Sequence, residues 1–280
     1  MLKTLRKLAY GARVALARGG ELSMVDAAGI QTQVRSGGDG PPFVYLHSAI
    51  GETLWLPFLE KWSKQFTVYA PAHPGYARSG GFDNIRDLDD LVFHYVDLFD
   101  ALGIDEICLG GCSLGGWVAA EFATRWPERV KKLWVCNSPG FWLDDHPFPD
   151  LFRYSNDTQK IRELLFADPN GYEATMIIKN PEQVNDETKI AVYQSMAMLA
   201  RLMWERPYDP KLPGRLRRVR CPALVIWGEQ DKLVPAVYAA EYQRHLPNAR
   251  THIIKNCGHL PMFEAEQEFV DVIAKFCNET

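Results

Sequence analysis

The chain has 280 residues, 47% of them hydrophobic and 24% charged, enough apolar material for a full globular core. Its 31 Lys+Arg against 35 Asp+Glu leave a formal charge of −4, which gives no basis for a nucleic-acid partner. Cys108, Cys136 and Cys221 fall in or beside apolar strand-like runs and read as buried free thiols, not as a disulfide framework. No C-x-x-C or H-E-x-x-H spacing occurs, so no metal site is expected.

Residues 1–20 form a basic segment (Lys3, Arg6, Lys7, Arg13, Arg18) with no acid before Glu21. It lacks the apolar core of a signal peptide, and no run approaches the roughly 18 apolar residues of a membrane span. Leu2, Leu5, Leu8 and Ala9 share a helical face, expected to lie on the body of the protein. The expected location is cytoplasmic, without a membrane partner. Composition sets no oligomeric state.

Glu21–Asp26 and Ile30–Arg35 alternate as two strands of a hairpin. Phe43–Leu46 is a short apolar strand, and Leu54–Lys64 carries apolar residues at helical spacing. Phe66–Ala70 is the next strand. Asp87–Leu102 predicts an amphipathic helix with Asp87 at its start. The run Ile107, Cys108, Leu109 leads into glycines and then a helix former, and Leu133–Cys136 is again a strand. Strand–helix alternation of this kind predicts a parallel sheet covered on both faces.

Alternation stops at Ser138-Pro139-Gly140. From Phe141 to about Pro213 helical stretches replace strands: Thr158–Ala167, Tyr172–Lys179 and Glu187–Trp204. Aromatic residues and methionines are frequent there, which points to a helical cap over the carboxyl edge of the sheet, where ligands bind in open α/β folds. The basic run Lys211–Arg220 reads as a solvated face at the return to the sheet. Pro222–Trp227 and Ala249–Ile254 are the last strands, with a helix at Tyr238–His245 and a closing helix at Phe263–Phe276. The division expected is 1–20 for the N-terminal segment, 21–138 and 213–280 for the core, and 139–212 for the cap.

Gly111-Cys112-Ser113-Leu114-Gly115 fits G-x-S-x-G in the strand–turn–helix context that gives the pattern meaning. A Cβ at 111 or 115 would collide where strand and helix cross. The serine needs a base, and the base needs an orienting acid. His259 follows the last strand in a Gly-containing loop, at the sheet edge Ser113 occupies. His47 and His73 also follow strands, but each precedes a turn where a backbone role is as reasonable. Asp231 follows the strand ending at Gly228; the position after Cys136, where an acid could also stand, holds Asn137 and Ser138.

The order Ser113…Asp231…His259 resembles that of the α/β-hydrolases. The His47 loop, Pro74-Gly75, the serine turn, Gly228-x-x-Asp231 and Gly258-His259 fall at matching points over about residues 20–280. The resemblance implies an α/β-hydrolase fold: a mostly parallel eight-stranded sheet flanked by helices, with a helical cap inserted after strand 6. It implies Ser113, Asp231 and His259 as catalytic residues and the backbone N–H groups of Leu114 and Ala49 as oxyanion hole. Many relatives have His-Gly where this chain has His47-Ser48. The pocket is expected near Ser48, Cys112, Phe141, Trp142 and Leu260.

The resulting expectation is a cofactor-free serine hydrolase cleaving an ester of a modest-sized apolar small molecule, carboxylesterase-like. A carbon–carbon bond hydrolase of meta-cleavage-product type is the alternative. That group usually places asparagine before the serine and tryptophan after the histidine, where this chain has Cys112 and Leu260. A perhydrolase or a small-molecule receptor are lesser alternatives on the same fold.

Overall fold

The computed structural model describes residues 20–279; the expected helical face from Leu2 to Ala9 lies outside them. Eight strands form one sheet in the order β1-β2-β4-β3-β5-β6-β7-β8. They are β1 (Glu21–Ala27), β2 (Ile30–Gly37), β3 (Pro42–Leu46), β4 (Thr67–Pro71), β5 (Ile107–Cys112), β6 (Val130–Cys136), β7 (Ala223–Gly228) and β8 (Ala249–Ile254). β1–β2 and β2–β4 pair antiparallel, and every other pair is parallel. Every residue of β5 and β7 is buried. That is why these segments read as continuous apolar runs while the outlying hairpin alternates.

The flanking helices begin and end where local chemistry requires. Helix α1 (Pro57–Trp62) is shorter than the apolar spacing from Leu54 suggested. Pro57 fits only a first helical turn, and it holds Leu56 extended at φ −91° and ψ 161°. Helix α2 (Leu88–Leu102) is capped by Asp87, whose carboxylate accepts from the Asp90 N–H at 2.9 Å, and it stops at Gly103 in the left-handed region. Helix α3 (Leu114–Arg125) follows β5 directly.

Between β6 and β7 lie α4 (Thr158–Leu165), α5 (Tyr172–Ile177), α6 (Asp186–Met203) and α7 (Leu212–Leu216). α4 ends before the expected Ala167, because Phe166 is extended and the Ala167 N–H donates to Glu264 instead of continuing the helix. The two ends of the insertion meet where Gly140 bridges Tyr208. After β7 come α8 (Val237–His245), α9 (Pro261–Glu264) and α10 (Glu266–Asn278). The single closing helix expected from Phe263 is in fact two, broken at Ala265, which has φ −134°.

The core has two layers. On one face of the sheet Phe43, Tyr45 and Trp134 meet Phe58, Trp62 and Phe269 of α1 and α10; the Tyr45 and Trp134 rings stack with centroids 6.1 Å apart. On the other, α2 and α3 meet through Phe99 and Phe122, 5.2 Å apart. Aromatic pairs of this kind contribute about 0.5–1.5 kcal/mol each beyond their buried area.

Two sequence expectations need correction. Cys108 is not a free thiol: it forms a disulfide with Cys277 across 169 residues, tying β5 to α10, whereas Cys112, Cys136, Cys221 and Cys257 are free. Nor is the basic run wholly a solvated face. Arg215 pairs with the fully buried Glu121 at 2.6 Å and with Asp209 at 2.5 Å, because the Glu121 carboxylate on α3 needs a partner where it has lost water.

Candidate active site

Ser113 is the residue between β5 and α3, with φ 54° and ψ −119°. A non-glycine side chain adopts that backbone conformation only under strain, and the surrounding structure must enforce it. Its N–H donates to the Cys136 carbonyl at 2.8 Å. The strand and helix cross so closely that a Cβ at Gly115 would lie 2.0 Å from the Leu46 carbonyl oxygen, and one at Gly111 2.4 Å from the same atom. The serine therefore stands at the carboxyl end of the sheet, beside the point where strand order reverses between β3 and β5.

The loop after β7 supplies Asp231 and the loop after β8 supplies His259, both buried. His259 Nδ1 donates to Asp231 Oδ2 at 2.8 Å. The other carboxylate oxygen accepts from the N–H groups of Leu233 and Val234, each at 2.9 Å. One oxygen thus shapes the turn while the other holds the imidazole. Burial raises the Asp231 carboxyl from its ordinary value, and His259 with the Leu233 and Val234 N–H groups opposes the rise without cancelling it. Because Nδ1 carries the proton, Nε2 is left as an acceptor. It is buried and has no hydrogen-bond partner among the described residues. No hydrogen bond joins it to the Ser113 hydroxyl in this conformation; bonds of this kind often close only when substrate arrives.

Opposite lies the loop after β3. His47 Nε2 accepts from the His73 N–H at 2.8 Å, so its Nδ1 carries the proton and donates to the Ser48 carbonyl at 2.7 Å. His73 Nε2 in turn donates to the His47 carbonyl at 2.8 Å. Burial pushes His47 down to about 4 and His73 well below the ordinary range, so both rings are neutral scaffolding. Of the two readings open for these histidines, the structure shows the backbone one.

Glu52 completes the loop. Its Oε2 accepts from the Ser48 N–H at 3.0 Å and from the Ser48 hydroxyl at 2.9 Å, while that hydroxyl accepts from the Ile50 N–H at 3.2 Å. The serine that departs from the His-Gly pattern is thereby employed as a loop brace. Ala49, held between these anchors, lines a cavity with Ser113. Neither the Ala49 nor the Leu114 N–H donates to any described residue. Leu114 opens α3, and first-turn N–H groups have no partner within their helix.

The cavity measures about 580 Å³ and lies between the sheet edge and the insertion; Trp142, Phe148, Leu199 and Met203 line it from the insertion. Of the pocket residues expected from sequence, Trp142 lines it. Ser48, Cys112, Phe141 and Leu260 do not: they are buried behind it, Ser48 on Glu52 and Phe141 against Tyr242 with ring centroids 4.6 Å apart. Sequence reasoning also passed over Asn137, read there only as a missing acid. Asn137 is fully buried at φ 48°; its side chain accepts from the Gly228 N–H at 2.9 Å and donates to the Gly258 carbonyl at 3.0 Å. It joins the ends of β6 and β7 to the His259 loop. Among the described residues no group of three or more His, Cys, Asp or Glu is placed to hold a metal ion, and no helix is long and apolar enough to cross a membrane.

Comparison with known proteins fits this geometry. The chain is 27% identical over 264 residues to the uncharacterized carboxylesterase nap of Bacillus subtilis, covering 89% of this chain and 83% of that one. It is equally 27% identical to the 2-hydroxymuconate semialdehyde hydrolase of a Pseudomonas species, over 90% of this chain and 92% of the relative. The crystal structure of naproxen esterase from Bacillus subtilis superposes with a TM-score of 0.72 at 25% identity, covering 97% and 96% of the two chains. The profile of the alpha/beta hydrolase family matches residues 36–272. The fold, the strand order and that match agree: this chain is a hydrolase of the alpha/beta hydrolase family.

Proposed function

We propose that the chain is a serine esterase acting on modest-sized apolar esters through an acyl-enzyme on Ser113. The observation that carries this reading is the Asp231–His259 bond, which engages Nδ1 and leaves Nε2 buried and unpartnered, in a chain whose Ser113 lines the cavity. Ser113 attacks the ester carbonyl as His259 takes its proton. The N–H groups of Leu114 and Ala49 receive the developing oxyanion, each worth roughly 2.7–4 kcal/mol in such sites. His259 returns the proton to the departing alcohol, then activates water to release the acid and restore the serine. Asp231 holds the ring and favours the imidazolium that forms in each half.

The lining is largely apolar, and so the substrate is expected to bury an apolar acyl or alcohol group. A second reading has one specific observation in its favour: Arg206 also lines the cavity, beside the carboxylates Asp150 and Glu205. A carbon–carbon bond hydrolase of meta-cleavage-product type would take a dienol-diketone acid, and a cation is what such a carboxylate would seek. Turnover of short p-nitrophenyl esters beside a dienol-diketone acid, in wild type and in Ser113→Ala, separates the readings. Ester hydrolysis lost in the variant supports the first. Efficient cleavage of the dienol acid with negligible ester turnover replaces it with the second.

A further inference from the structure

The loop bearing His259 sends its backbone groups to three parts of the molecule. The Gly258 carbonyl accepts from Asn137 in the sheet, at 3.0 Å. The His259 N–H donates to the carbonyl of Leu165, the last residue of α4 in the insertion, at 2.8 Å. The Gly258 N–H donates to Glu264 Oε2 at 2.8 Å. The second oxygen of that carboxylate, Oε1, accepts from the Ala167 N–H at 2.7 Å, back in the insertion. Loop and insertion are in direct contact: a Cβ at Gly258 would stand 2.8 Å from the Ala167 nitrogen and from the Leu165 oxygen.

We propose that Glu264 is a positioning residue coupling the insertion to the general base, its carboxylate clamping Leu165–Ala167 onto the Gly258–His259 backbone so that the cap helps to aim the imidazole. The proposal rests on the reading of His259 as base. A carboxylate suits the task because both oxygens accept, and charge-assisted bonds are shorter and stronger than neutral ones. A carboxamide could satisfy one N–H and would point its own NH2 at the other. The Leu165 carbonyl is one of the orphan acceptors at a helix C-terminus. That acceptor is taken up by the His259 N–H. Displacing the insertion would remove the tether, and an ångström of misplacement can cost about a hundredfold in rate. Burial pushes the Glu264 carboxyl up to about 7, with the bonds from the Ala167 and Gly258 N–H groups opposing the rise and Glu173 and Asp231 adding to it.

Hydrogen exchange by mass spectrometry on the full chain, with ester kinetics, tests this. In Glu264→Gln, the amides at 165–167 and 257–259 should exchange at least tenfold faster. The variant's kcat should fall at least tenfold with KM within twofold. Glu264→Asp, charged but too short to span both donors, should do the same. In the wild-type chain the Ala167 and Gly258 amides should exchange at one common rate, set by a single opening. Unchanged exchange or an unchanged kcat in either folded variant would overturn the proposal, as would unrelated rates in wild type. Absence of ester turnover in wild type would instead sink the esterase reading, and the exchange arm would still report on the clamp.

Discussion

The sheet edge and the helical insertion hold their residues by different means. At the edge, Ser113, Asp231 and His259 sit one, three and five residues past a strand, and backbone bonds fix Ser113 to the end of β6 at Cys136 and His259 to Leu165 at the end of α4. In the insertion, residues 190–194 of α6 are all exposed, Tyr193 at 70% and Ile190 at 58%. The first half of that helix gains little from tertiary burial. Its second half, which brings Leu199 and Met203 to the cavity, is packed against the core, so the lightly held stretch stands apart from both the cavity lining and the sheet edge. The difference teaches where substitutions should stop the reaction and where they should only redirect it.

The largest effects should come from the edge. Ser113→Ala should lower kcat by at least about 10⁴-fold, and Asp231→Asn by about 10⁴-fold through the wrong imidazole tautomer, both with near-normal thermal stability. Steady-state kinetics beside thermal unfolding reads this; comparable loss from any substitution in α6 would blur the distinction. Next is the scaffold beneath. His47 and His94 are held neutral by burial, each pushed down to about 4. A histidine lowered on folding takes up more protons when unfolded, so stability should fall as pH drops from about 6.5 toward 4, by roughly 3 kcal/mol for each ring. Urea unfolding across that range checks it, and a flat profile would mean the rings are hydrated. Asn137→Ala leaves the Gly228 N–H and the Gly258 carbonyl unpaired in the interior and should cost about 2–3 kcal/mol, again by urea unfolding. Smallest is the insertion. Trp142→Ala or Arg206→Ala should change KM by up to about tenfold among substrates, leave kcat for the preferred ester within twofold, and move stability by less than about 1 kcal/mol.

The same division explains what could be read in the sequence. The parallel strands were visible because both faces are covered, which leaves no polar alternation, and the helix at Asp87 because its cap is a local bond. The placement of Ser113, Asp231 and His259 past strand ends was legible through short motifs. What stayed hidden depends on pairings across long stretches of chain. The Cys108–Cys277 bond spans 169 residues, and Arg215 finds Glu121 from 94 residues away. Asn137 gave no sign of its work, since an asparagine serving two backbone groups looks like any turn residue. Glu264 read as part of one closing helix, and only the break at Ala265 and the approach of Ala167 reveal its clamp. Of the expected pocket residues only Trp142 faces the cavity: Cys112 and Leu260, next in sequence to Ser113 and His259, are buried in the core, while loops after the strands (Ala49, Leu233, Val234) and the insertion share the lining.

The central claim is that Ser113 forms a covalent bond to the acyl group, with His259 drawing off its proton. Incubation with a fluorophosphonate followed by peptide mass spectrometry measures this directly. The account predicts a single adduct on the peptide containing Ser113, formed at least a hundredfold more slowly in His259→Ala and absent in Ser113→Ala. An adduct on another serine, or ester turnover that survives in Ser113→Ala, would contradict it.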